Sequence, residues 1–112
     1  MGPLAHFVLL VFRQPGHGAL WPVAVLLLDP ANDRLHVRGK ENYASIAHAD
    51  DAFVLAETVK QLQADASAQS GSAILDLLES TLSNSLTMTV RIMMRVKDVG
   101  STLDHLSAAF LL

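Results

Sequence analysis

Two stretches near the start of this chain are apolar on both faces when read as strands, and that limits the folds open to it. In Leu4 to Phe12 one face carries Leu4, His6, Val8, Leu10 and Phe12, and the other carries Ala5, Phe7, Leu9 and Val11. In Leu20 to Leu28 the faces are Leu20, Ala24, Leu26 and Leu28 against Trp21, Val23, Val25 and Leu27. Aliphatic, β-branched and aromatic side chains favour a strand in both runs. A strand that is apolar on both faces is normally covered on both. Both runs are too short to cross a bilayer as a helix. No basic leader precedes the first run, and no clean small-residue cleavage site follows it. Both are therefore read as buried strands of a cytoplasmic protein with no membrane partner, an assignment that the absence of cysteine fits.

The rest of the chain supplies the other elements. Gln14-Pro15-Gly16-His17-Gly18 and Asp29-Pro30-Ala31-Asn32-Asp33 are turn-forming. With a third strand over Arg34 to Arg38 they predict an antiparallel meander. Gly39 to Ala47 reads as a polar loop. Asp50 is the expected N-cap of a helix running to Ser70, with a stripe of Ala52, Leu55, Ala56, Val59, Leu62 and Ala66. Gly71 is placed to end it in a left-handed cap. A second helix, capped by Ser72, covers Ala73 to Leu82 and carries Ile74, Leu75, Leu77, Leu78 and Leu82; Ser83-Asn84 breaks it. Then Leu86, Met88, Val90, Ile92, Met94 and Val96 alternate with Ser85, Thr87, Thr89, Arg91, Met93 and Arg95, which predicts one strand with one apolar face. Asp98 or Ser101 caps a last helix with Val99, Leu103, Leu106 and Phe110 on one stripe, Ser101 and Asp104 forming a weak capping box.

A length of 112 residues suits one domain spanning 1–112. The order β-β-β-α-α-β-α predicts an α+β fold: two layers, a mostly antiparallel four-stranded sheet, and the helices on one face. Three helices, one of them short, leave the second face of such a sheet bare. Leaving ~400 Å² of hydrocarbon wet forgoes about 10 kcal/mol of transfer free energy. Association costs of similar size offset part of that. We therefore expect a homodimer or another protein chain on that face, with Phe7, Leu9, Val11, Trp21, Val23 and Val25 as the interface. The alternative is a monomer whose helices divide between the two faces. Only 17% of the residues are charged, which leaves fewer charges to cover the surface than in an average domain.

Chemistry is sparsely signalled. A net charge of −3 gives no basic excess for nucleic acid. Thiolate chemistry and cysteine-ligated zinc are excluded by composition. The histidines His6, His17, His36, His48 and His105 show no metal-ligand spacing, so no metal or cofactor is expected. No nucleophile elbow or phosphate-cradling glycine loop occurs. Met88, Met93 and Met94 read as core filling. Gly16-His17-Gly18 lies between strands and reads as a hairpin turn. The densest polar stretch, residues 38–51, offers Glu41 or His48 as a general base if a small hydrolase is built there. Arg38, Lys40, Arg91 and Arg95 could bind an anionic ligand. Arg91 and Arg95 on one strand equally fit an edge kept soluble by charge. The reading that accounts for most of the sequence is a non-catalytic interaction or assembly module.

Overall fold

The computed structural model describes residues 4–14, 16, 18–81, 86–89 and 91–111. His17, Leu82, the Ser83-Asn84 break, Ser85 and Val90 lie outside them. Strands β1 (Leu4–Arg13), β2 (Leu20–Asp29) and β3 (Arg34–Gly39) form the antiparallel meander. Helices α1 (Ala49–Ala68) and α2 (Gly71–Thr81) follow. Then come β4 (Leu86–Met88), β5 (Ile92–Arg95) and helix α3 (Val99–Phe110). Both β4 and β5 pair antiparallel with β1, so the sheet runs β3-β2-β1 and ends in these two short pieces. The α+β class, the antiparallel sheet and the order β-β-β-α-α-β-α are those expected, with the last strand in two parts.

That break reverses the reading of the period-two pattern. Leu10 pairs with Met88, whereas Phe7 pairs with Ile92. Three steps along β1 thus match four along its partner, a one-residue bulge. Thr89 N–H donates to Leu9 O at 3.0 Å, and Thr89 Oγ1 accepts the Leu9 N–H at 2.9 Å. A one-residue shift turns every later side chain to the opposite face. Leu86 and Met88 consequently pack with Val8, Leu10 and Phe12 beneath α1 and α2. Met94 and Val96 pack with Ala5, Phe7, Val25 and Leu27 beneath α3.

The helices divide accordingly. The larger core joins the first face to Leu55, Val59, Leu62 and Ala66 of α1 and to Ile74 and Leu75 of α2. On the other face Leu103 of α3 and Leu111 are buried, with Val99 and Leu106 beside them. Helix therefore lies on both sides of the sheet, where the sequence led us to expect it on one. The bulge explains this: the chain leaves β5 with Val96 already buried on the second face, so α3 docks there.

A second bulge sits in β2. Leu10 pairs with Ala24 but Val11 pairs with Pro22, which leaves Val23 as the extra residue. Pro22, lacking an N–H, is tolerated at such an irregularity. Val23 consequently joins Ala24 in the α1/α2 core rather than lying on the Val25 face.

Three expected helix ends also move. α1 begins at Ala49 with His48 as N-cap, so Asp50 and Asp51 lie in its first turn, where carboxylates complement the helix dipole. Gly71 opens α2 instead of ending α1. Ser70, not Ser72, receives the helical N–H of Ala73, at 3.3 Å, while Ser72 N–H donates to Asp33 Oδ1 at 2.9 Å. At α3, Asp98 accepts from Ser101 N–H at 3.2 Å, as expected of a cap.

Candidate functional site

The six expected interface residues do not form one free surface. Val23 and Val25 are fully buried, on opposite faces. Phe7 is buried beneath α3, its ring 5.7 Å from that of Phe110. Val11 is buried, and Leu9 is half-buried against the α3 core. Trp21 alone of the six is exposed, with its Nε1–H donating to Gln14 Oε1 at 3.4 Å. The sequence reading left this face bare because it placed α3 with the other helices.

Exposed hydrocarbon remains at the β5 edge. Ile92 is 55% exposed and Met93 59% exposed. Ile92 pairs with Phe7 and so lies on the α3 face, whereas Met93 pairs with His6 on the opposite face. Leu4 and Phe110, each 40% exposed, extend the two sides. Among the described residues β4 and β5 pair only with β1, so their outer backbone row has no strand partner. A further exposed pair, Phe53 and Val54, lies on α1, which packs over β3 at the opposite edge.

The four candidate anion ligands separate into two groups. Arg38 and Lys40 lie at the end of β3, and Arg91 and Arg95 lie at β5, three strand spacings or ~14 Å across the sheet. Arg91 donates from Nε to Glu79 at 2.6 Å and from Nη2 to Asp76 at 2.8 Å, both on α2. Partial burial pulls its pKa down, but these two carboxylates outweigh it and hold the guanidinium above its ordinary value. Arg91 thus clamps α2 to the sheet and does not join an anion strip.

Arg38 and Lys40 do border a cleft. It measures about 440 Å³ and lies between residues 38–45 and α3. Glu41, Asn42 and Ser45 share the loop side, and Asp104, Ser107, Ala108 and Leu111 form the other wall. Arg38 is ion-paired to Asp104, and Lys40 Nζ donates to Leu111 O at 2.7 Å. The Ser107 hydroxyl is buried without a hydrogen-bond partner.

The loop side is held rigidly. The Val23 carbonyl at the β2 bulge accepts from Lys40 N–H at 3.0 Å and from the Tyr43 hydroxyl at 3.2 Å. Tyr43 is buried, and desolvation raises its pKa. Residues Tyr43–Ser45 form a single 3₁₀ turn capped by the Asn42 side chain, which accepts from Ala44 N–H. A methyl group at Gly39 would meet Val59 Cγ1 at 2.7 Å and the Tyr43 hydroxyl at 2.8 Å, so only glycine lets α1 and Tyr43 close on the loop.

Glu41 therefore belongs to the cleft, whereas His48 is the N-cap of α1 and is not among the residues lining it. Asp104, expected only as the capping-box partner of Ser101, is ion-paired to Arg38 instead, and Ser107 carries no sequence signal. Their place depends on α3 crossing to β3, which no local pattern encodes. Among the described residues no group of three or more His, Asp or Glu is placed to hold a metal ion, and no helix is long and apolar enough to cross a membrane. The fold defines the class as a small α+β domain on an antiparallel sheet. No protein-family model, no curated protein and no solved structure matches the chain.

Proposed function

We propose that the protein is a non-catalytic assembly module whose partner is a second copy of itself, joined along the β5 edge. The observation that carries this reading is the outer edge of β5, which has no strand partner among the described residues and is flanked on the two faces by exposed Ile92 and Met93. An edge with free donors and acceptors is a template for strand addition. A two-fold axis there would pair β5 with its copy and bring Ile92 and Phe110 of each chain toward the other. Edge strands commonly resist such pairing with outward cations. Of the two cations expected to guard this edge, Arg91 is turned to α2 and ion-paired to Asp76 and Glu79, whereas Arg95 is an exposed residue of β5 itself.

The expected surface is thereby moved from the centre of the sheet to its edge. Val25→Asp cannot probe association, because a carboxylate there would be buried inside one chain. Ile92→Lys is the appropriate variant. It is expected to leave the circular dichroism spectrum unchanged and to abolish the dimer in light scattering, while Phe53→Lys leaves the dimer intact. Loss of the dimer in Phe53→Lys and not in Ile92→Lys would move the interface to α1 and overturn the proposal.

A further inference from the structure

We propose that the cleft between residues 38–45 and α3 binds a small zwitterion with an apolar body, of the chemical class of a free aliphatic amino acid. The inference is independent of the dimer, since the cleft lies by β3 and the proposed dimer edge is β5. It starts from the charges. Two cations, Arg38 and Lys40, and two carboxylates, Glu41 and Asp104, border one cavity. A multiply charged anion would enter against both carboxylates, and a diamine against both cations; like charges brought together cost binding energy. A ligand carrying one charge of each sign meets neither penalty. Its carboxylate is suited to Arg38 and Lys40, and its ammonium group to Glu41 and Asp104.

Donor capacity allows this without dismantling the protein. Lys40 has three N–H donors and uses one on Leu111 O, and Arg38 has five and uses one amine on Asp104. Ala108 and Leu111 provide an apolar wall for an aliphatic side chain. The size agrees: about 440 Å³ is within the ~300–1,000 Å³ of small-molecule sites. The wall is also set before any ligand arrives, because Tyr43, Asn42 and the Val23 carbonyl fix the loop. A polar loop tied this firmly to the core loses little further entropy on binding.

The test is an amide NMR titration of the ¹⁵N-labelled protein with L-leucine, with inorganic phosphate and butane-1,4-diamine run alongside. L-leucine is expected to shift the amides of Lys40, Glu41, Asp104 and Ser107 saturably, in the millimolar range or tighter, and the other two probes are not. Lys40→Met and Asp104→Asn should each weaken L-leucine by about tenfold, the loss of one charge-assisted hydrogen bond. If Asp104→Asn loosens α3, seen as collapsed signal dispersion, Lys40→Met decides the matter alone. Saturation by phosphate or the diamine at the same amides, without L-leucine, overturns the ligand class. No saturable shift with any probe, or L-leucine binding that Lys40→Met does not weaken, overturns the site.

Discussion

At the scale of single residues, the junction of α1 and α2 with the β2–β3 turn is the most constrained point. Asp33 has φ of +50°, and its backbone oxygen accepts from Gly71 N–H at 2.8 Å. A methyl group on Gly71 would lie 2.5 Å from Leu35 N and 2.7 Å from Arg34 C, both backbone atoms that cannot step aside. Gly71→Ala should therefore destabilise the protein in urea by about 1–3 kcal/mol, the usual cost of overpacking. Gly100→Ala is the control. Its nearest neighbour would be Asp98 Oδ1 at 3.9 Å, in the first turn of α3, so alanine should change stability by no more than about 0.5 kcal/mol. Asp33 also sets a pH dependence. Hydrogen bonds from the Ser70 hydroxyl and the Ser72 N–H to its carboxylate hold its pKa below the ordinary value. A depressed folded-state pKa gives a contribution that is complete above the unfolded pKa of about 4 and is lost as pH falls through the folded value. Asp98, bonded by the Ser101 side chain and backbone, acts in the same direction. Urea midpoints should thus fall below ~pH 4, and Asp33→Asn should lose stability at neutral pH while flattening that acid limb. An acid limb of unchanged steepness in the variant would refute the assignment.

At the scale of elements, the two bulges decide which side chains meet. Met93 and Met94 are neighbours in sequence, yet Met93 is exposed while Met94 is half-buried against the α3 core. Met93→Ser should shift stability by no more than about 0.5 kcal/mol, and Met94→Ser should cost about 1–3 kcal/mol, measured in the same urea series. Leu103 is the one buried residue of α3, so Leu103→Ala should cost about 2–5 kcal/mol. These elements also show what sequence reading could reach. Local periodicity found β1, β2, β3 and the α1 stripe of Leu55, Val59, Leu62 and Ala66, because each is stated within one stretch of chain. The bulge between β4 and β5 was invisible for a physical reason: the six apolar residues keep perfect alternation through it, and only the register against β1 reveals the extra residue. The side of the sheet taken by α3 depends on that register and was lost with it. The same dependence hid Asp104 and Ser107 from any reading of the cleft, whereas Arg38, Lys40 and Glu41 stood out as a dense polar run beside a strand end.

At the scale of the whole molecule, the sheet is greasy on both faces because helix covers both. α1 and α2 account for one side and α3 for the part of the other that holds Phe7, Val25 and Leu27. Part of the hydrocarbon this coverage leaves exposed, Leu4, Ile92, Met93 and Phe110, gathers at the β5 edge, where the proposed partner would cover it. The polar surface is divided too, with Arg91 spent on α2 and with Arg38 and Lys40 at the cleft by the opposite edge. Assembly at one edge and ligand capture at the other are thus compatible on a single small domain. Size-exclusion chromatography with light scattering at micromolar concentration tests the central claim most directly. The expected result is a species of twice 12.1 kDa that reverts to one chain in Ile92→Lys. A single 12.1 kDa species for the unaltered protein at every concentration would contradict it.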